Sequence, residues 1–79
     1  MSGVYHPLTY RQVIQILVAL GFSQRPNKGT SHEQWVKTEP SFFKVTVDKH
    51  ESPFDAFLIS SMARQAGVTK KEFYAILKG

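Results

Sequence analysis

The segment Ser31–Asp48, SHEQWVKTEPSFFKVTVD, holds the two clearest strands of the chain, and the rest of the architecture follows from it. In its second half, Phe43, Val45 and Val47 alternate with polar residues, which is the pattern of a strand with one buried face. The first half predicts another strand, SHEQWVK, and TEPS between the two predicts a turn. Residues 22–25, FSQR, predict a shorter strand before the turn PNKG. Because the connections are short, the three strands should form an antiparallel meander.

Two of the predicted helices begin with a capping box. In the first helix Thr9 is the N-cap and Gln12 follows three residues later, before apolar residues at helical spacing. In the last helix, Lys70–Leu77, Thr69 and Glu72 repeat the arrangement. Each box supplies partners to backbone groups that the first turn leaves unpaired, so both helix starts are predicted from local sequence.

A further helix is predicted after the third strand. Ser52 is its expected N-cap, Pro53 and Asp55 lie in its expected first turn, and Gly67 is its expected end. The side chains expected to point inward are Phe54, Phe57, Leu58, Ile59 and Met62. The element order is therefore α-β-β-β-α-α. This is an α+β fold in which helices pack on one face of a three-stranded antiparallel sheet and leave the other face open to solvent.

Length and composition predict a single domain, residues 1–79. The chain has no cysteine, which excludes disulfides and thiolate metal sites and fits a reducing cytoplasm. Its start resembles no signal peptide, and its longest apolar run is too short to cross a bilayer, so a soluble cytoplasmic protein without a membrane partner is expected. The net charge of +4 favours a polyanionic partner such as nucleic acid.

Strand alternation places Trp35 and His32 on opposite faces of the second strand. Burying Trp35 removes far more apolar surface from water than burying Val36, so Trp35 is expected to face the helices and His32 the open side. The same register turns Glu33 inward, which is tolerable only near a sheet edge. The open face is consequently where a ligand is expected.

His32 and His50 are the candidate functional side chains. On the residues alone, the favoured interpretation of His32 is a strand-end histidine that satisfies a local hydrogen bond. A metal site has little support, because two histidines with scattered carboxylates lack ligand spacing. A serine-type triad cannot be assembled either. Proton transfer remains, since an imidazole exchanges protons near neutral pH.

RNA cleavage is a reaction that requires few catalytic groups from such a site. The 2′-hydroxyl already lies beside the phosphate that it attacks, so the protein has only to move protons and stabilise an anion. Lysines in or beside the predicted strands are candidates to contact the RNA backbone: Lys28, Lys37, Lys44 and Lys49. The start of the helix expected after Ser52 would offer N–H groups to an anion near His50.

Four segments together resemble the HicA family of type II toxins: QVIQILVALGF, KGTSH, FFKVTVDKH and MARQAGVTKKEFYAIL. The resemblance runs from about Leu8 to Leu77. It implies a fold similar to double-stranded RNA-binding domains. It also implies a metal-independent endoribonuclease that cleaves messenger RNA, needs no cofactor and is neutralised by a HicB-type antitoxin covering the histidine surface.

The resemblance also assigns residues. The family histidine is matched by His32, as general acid or base, with Gly29 and Ser31 as the motif neighbours that shape its turn. The family histidine after the third strand is matched by His50, as a possible catalytic or phosphate-binding residue.

Three hypotheses follow from these observations. The first is the RNase toxin with His32 as general acid or base. The second is a non-catalytic RNA-binding module of the same fold, whose RNA binding weakens with salt and is not followed by cleavage. The third is a protein-interaction domain whose open sheet face serves a partner alone.

Overall fold

Three helices and three strands follow one another in the predicted order, which confirms the α+β fold class. The computed structural model describes residues 6–26, 29 and 31–78. Its elements are α1 (Tyr10–Ala19), β1 (Ser23–Gln24), β2 (His32–Lys37), β3 (Phe43–Asp48), a 3₁₀ turn (Lys49–Glu51), α2 (Ala56–Ala66) and α3 (Lys70–Lys78). Within these ranges, none of the helices combines the length and the apolar character needed to cross a membrane.

The strands form one antiparallel sheet in the order β1-β2-β3, so that β2 is central. Trp35 of β2 lies opposite Val45 of β3, and both are buried together with Val47. Lys44 and Thr46, which alternate with those valines, are exposed. The predicted faces of both long strands are therefore confirmed, with Trp35 towards the core.

The core lies between the inward face of the sheet and the helices. α2 packs against β3 and α3, and α1 packs against α3. The buried apolar residues are Leu8, Val13, Ile16, Leu17, Phe22, Trp35, Val45, Val47, Phe54, Ile59, Met62, Ala63, Ala66, Phe73 and Tyr74. Burial of each large side chain in this set stabilises the fold by about 1.5–3 kcal/mol, and most of them come from positions that the strand and helix periodicities predict.

Helix α1 begins as its sequence predicts and ends at a glycine turn. The N–H of Gln12 donates to Thr9 Oγ1 at 3.2 Å, and the N–H of Thr9 donates to Gln12 Oε1 at 2.9 Å. At the other end Gly21 has a φ of 98°, and the N–H of Phe22 donates to the carbonyl of Leu17 at 2.9 Å. This is a Schellman ending, which returns the chain towards the sheet.

The turn between α2 and α3 is closely packed against the sheet. Gly67 ends α2 with a φ of 82°, and a Cβ atom built on it would lie 2.6 Å from Cε1 of Phe43. The predicted capping box of α3 is present: Thr69 N–H donates to Glu72 Oε1 at 2.8 Å and Glu72 N–H donates to Thr69 Oγ1 at 3.0 Å. A glycine is needed at position 67 both for its backbone conformation and for the space that Phe43 fills.

The predicted start of α2 is wrong. The helix begins at Ala56, and its N-cap is Asp55, whose carboxylate accepts the N–H of Leu58 at 2.9 Å. Ser52 has an extended backbone at the end of the 3₁₀ turn, and its Oγ accepts the N–H of Tyr10 at 2.9 Å. Because the serine hydroxyl is used by α1, the second cap-competent residue in the segment starts α2.

The later start changes which aromatic side chains are buried. Phe54 precedes the helix and is buried through a two-way backbone pairing with Leu8, at 2.7 and 3.0 Å. Phe57, which was expected to point inward, is 78% exposed. α2 buries Ile59 and Met62, and a residue two positions before Ile59 lies on roughly the opposite side of a helix with 3.6 residues per turn.

Glu33 is the buried charged residue of the sheet, and it lies on the central strand rather than at an edge as expected. The Tyr10 hydroxyl donates to its carboxylate at 2.7 Å from each oxygen, and Trp35 Nε1 donates at 3.1 Å. Lys49 Nζ lies 3.9 Å from the same carboxylate. Burial, reinforced by the hydrogen bond and charge of Glu33, raises the pKa of Tyr10 to about 12. These partners make an inward-facing carboxylate tolerable in the middle of the sheet.

Candidate functional site

The outward face of the sheet carries a histidine–carboxylate pair. His32 begins β2 and Asp48 ends β3, and the antiparallel register sets the two residues directly opposite each other. His32 Nε2 lies 3.2 Å from Asp48 Oδ2, with the histidine side chain 59% exposed. An accessible imidazole is thus held in place by a carboxylate on the neighbouring strand, which is the arrangement used to orient a proton-transferring histidine.

Asp48 also connects the pair to the turn after β3. Its Oδ1 accepts the backbone N–H of His50 at 3.0 Å and caps the 3₁₀ turn. That N–H, followed by the hydroxyl of Ser31 and the charges of His32 and His50, holds the pKa of Asp48 below its usual value. Asp48 therefore contacts both histidines singled out by sequence, His32 through its ring nitrogen and His50 through its backbone N–H.

Helix α2 runs along the free edge of β3 and rises beside the outward face. The N–H of Thr46 points away from β2 and donates to Gln65 Oε1 at 3.0 Å. Gln65 thereby satisfies an edge group of β3 that has no strand partner, while Thr46 Oγ1 donates to Gln34 Oε1 across the sheet at 3.2 Å. The open face is consequently bordered on one side by a helix.

A groove of about 270 Å³ lies between the sheet and α2. Its floor is apolar and consists of Phe54, Leu58 and Met62. His32 and Asp48 line the groove at the sheet side, so the histidine–carboxylate pair opens directly into it. This volume lies just below the roughly 300–1,000 Å³ that small-molecule sites occupy.

The lysines expected to hold RNA lie in different places. Lys44 is exposed on the outward face, four residues from Asp48 and therefore roughly 13 Å along the strand. Lys37 lies at the far end of β2, with its Nζ 5.2 Å from the ring centre of Phe22 and 5.5 Å from that of Phe43. Lys49 is directed towards Glu33.

The remaining candidates lie around the loop before β2. Lys28 falls outside the described residues, so its predicted contact with RNA stays a prediction. Gly29 has a φ of 74°, which favours glycine at this turn. The Ser31 side chain hydrogen-bonds to the Asp48 carboxylate and helps to lower the pKa of that group.

No helix begins at Ser52 to offer an anion site beside His50, because α2 begins at Ala56 and its first turn is capped by the Asp55 carboxylate. Among residues 6–26, 29 and 31–78, no three histidine or acidic side chains are grouped closely enough to hold a metal ion.

Sequence reasoning missed two parts of the site. Strand alternation places Asp48 on the outward face of β3, but pairing it with His32 requires the register, which the sequence does not give. The wall provided by Ser61 and Gln65 of α2 had no comparable signal, because the position of a helix relative to a sheet edge depends on the packing of the whole core.

The fold and the site define a small α+β protein that presents a histidine–carboxylate pair on the accessible face of a three-stranded sheet. The sequence model of one family, described as HicA toxin of bacterial toxin-antitoxin, matches residues 10–68. The chain belongs to the HicA toxin family and is a toxin of the toxin–antitoxin type. Searches of curated proteins and of solved structures found no match.

Proposed function

We propose that this toxin is a metal-independent endoribonuclease that cleaves messenger RNA, with His32 as its general acid or base. The observation that carries the proposal is the pair formed by His32 and Asp48: an exposed imidazole held at 3.2 Å by a carboxylate, on the sheet face that the helices leave accessible. Membership of the HicA toxin family supports a ribonuclease at the level of the family.

The reaction requires two proton transfers. The ribose 2′-oxygen attacks the adjacent phosphorus as His32 takes the proton of the 2′-hydroxyl, and a 2′,3′-cyclic phosphate forms. The bond from phosphorus to the 5′-oxygen breaks, and the leaving oxygen takes up a proton. His50, whose backbone N–H is bound by Asp48 at the end of β3, is the proposed donor of that proton or a ligand of the phosphate. Asp48 is the positioning residue that holds the imidazole ring.

The proposed contacts to the RNA backbone are the lysines in or beside the strands. Lys44 shares the outward face with Asp48 and is the strand lysine best placed to contact an RNA backbone that leaves the site. Lys37 and Lys49 have aromatic or carboxylate neighbours inside the fold, and Lys28 precedes the His32 strand. A HicB-type antitoxin that covers the histidine face is the proposed protein partner.

The test is cleavage of end-labelled single-stranded RNA by purified protein in EDTA. We expect His32→Ala to lose roughly 10²–10⁴-fold of the rate. The matched control is His6→Ala, because His6 is also exposed but contacts Tyr74 on α3 instead of the sheet face. Asp48→Asn should lower the rate by roughly 2- to 10-fold, as expected for loss of one hydrogen bond.

Three outcomes have different meanings. Cleavage by wild type and by His6→Ala, with loss in His32→Ala, supports the proposal. Equal cleavage by wild type and His32→Ala refutes the role of His32 and points to His50 or to a contaminant. Salt-sensitive RNA binding without cleavage by any form would replace the nuclease with an RNA-binding module.

A further inference from the structure

The groove beside His32 has walls with a defined hydrogen-bonding character. Thr46 Oγ1 has donated its single hydrogen to Gln34, so its remaining capacity is as an acceptor. The carboxylates of Asp48 and Glu51 also line the groove and can only accept when ionised. Apart from the His32 imidazole, the polar groups that β3 and the following turn contribute to this wall are therefore acceptors.

On the helix side of the groove, the Gln65 side-chain amide is held in a fixed orientation by two hydrogen bonds. Gln65 Oε1 accepts the N–H of Thr46, which directs the Gln65 amide nitrogen to the other side, where it donates to Ser61 Oγ at 3.4 Å. Ser61 retains its own hydroxyl hydrogen as a donor. The groove thus combines an apolar floor, an acceptor-rich wall on the sheet and a hydroxyl donor on α2.

We propose that this groove binds one nucleobase of the RNA, and that it favours bases with an exocyclic amino group over uracil. The inference rests on the proposed function, since it identifies the part of the substrate that lies next to the reacting ribose. A flat heterocycle fits an apolar floor flanked by polar walls, and a carboxylate acceptor matches the N4 amino group of cytosine. Uracil has a carbonyl oxygen in place of that amino group, and this oxygen cannot hydrogen-bond to the carboxylate acceptors of Asp48 and Glu51.

A base bound in the groove would also position the ribose for the reaction. His32 lines the groove, so the ribose attached to a base seated there lies beside the imidazole. Base selection and proton transfer would then be performed by opposite ends of the same site, with α2 setting the preference and the β2–β3 pair performing the chemistry.

Binding is tested with short single-stranded oligonucleotides in which hydrogen replaces every 2′-hydroxyl. These cannot be cleaved by internal attack, so the result is independent of nuclease activity. We expect the cytosine oligonucleotide to bind at least roughly fivefold more tightly than its uracil counterpart, the lower end of the discrimination given by a well-placed base contact. NMR shift changes should centre on Thr46, Ser61 and the Gln65 side-chain amide.

Two adjacent serines supply a matched pair of variants. Ser60 and Ser61 are both half-buried on α2, but of these two serines it is Ser61 that lines the groove. Ser61→Leu should fill the groove and reduce binding of the cytosine oligonucleotide to the level of uracil, while Ser60→Leu retains the preference. Glu51→Gln tests the acceptor wall without adding bulk, and it should shrink the difference between cytosine and uracil. Thermal unfolding of each variant verifies the fold.

The outcomes separate this inference from the proposed nuclease. Cytosine preference that Ser61→Leu abolishes supports the base site, whether or not RNA is cleaved. Wild-type cleavage of RNA with unchanged preference and rate in Ser61→Leu refutes the base site and leaves the nuclease standing. Shift changes away from the groove, or no binding of either oligonucleotide, overturns the inference in favour of a groove that takes a partner's side chain.

Discussion

Removal of one hydroxyl group, in Tyr10→Phe, should destabilise the fold far more than a surface change. The Tyr10 O–H donates to both oxygens of the buried Glu33 carboxylate at 2.7 Å. The single hydroxyl hydrogen is shared by the two oxygens and counts as one hydrogen bond to a charged group, which contributes about 1.5–3 kcal/mol. Without it, the partners left to the carboxylate among the described residues are Trp35 Nε1 and the more distant Lys49. With a shift of about 4–8 °C per kcal/mol in a domain of this size, the melting temperature should fall by roughly 6–24 °C.

The pH dependence of the same variant gives an independent check. The folded-state pKa of Tyr10 is raised from 10.0 to about 12, so the neutral phenol is favoured in the folded protein. A group with a raised pKa contributes stability that is fully present below pH 10 and is lost as the pH rises towards about 12. The difference in unfolding free energy between wild type and Tyr10→Phe should therefore be constant below pH 10 and shrink above it.

Urea denaturation at several pH values measures both effects. The matched control is Tyr74→Phe, because the Tyr74 hydroxyl donates to a neutral carbonyl, that of His6, at 2.6 Å and should contribute only about 0.5–1.5 kcal/mol. In a double-mutant cycle, Glu33→Gln should be less costly when Tyr10 is already phenylalanine. A loss in Tyr10→Phe no larger than in Tyr74→Phe, or additive effects in the cycle, would refute the role assigned to the Glu33 network.

Three further predictions concern stability. Gly67→Ala should lower the free energy of unfolding more than Gly21→Ala, as measured by chemical denaturation. Both alanines would have an unfavourable positive φ, which costs about 1–2 kcal/mol, but only the Cβ at position 67 would also meet Phe43, at 2.6 Å. Asp48→Asn should lower the free energy of unfolding near neutral pH. Because the folded-state pKa of Asp48 is lowered, this difference from wild type should disappear as the pH falls below about 4. Acid titration followed by circular dichroism measures it. Asp55→Ala should cost about 1 kcal/mol in thermal unfolding through loss of the α2 cap, and an unchanged melting temperature would contradict the observed helix start.

Much of the fold was accessible from local sequence because the signals are short-range. The Thr9 and Thr69 capping boxes and the alternation of Phe43, Val45 and Val47 depend on residues within a few positions of one another. The start of α2 was predicted wrongly because both Ser52 and Asp55 are competent caps, and the choice between them was made by a contact from α1.

The candidate site divides in the same way. The sequence by itself determined that His32 and His50 flank two paired strands and that the imidazole of His32 is on the face opposite Trp35, since strand alternation and burial of the indole are local consequences of residue type. Only the tertiary structure decided that His32 meets Asp48 and that α2 closes a groove beside them. Those contacts join residues far apart in the chain, and their geometry is set by register and by packing of the shared core, which no local pattern encodes.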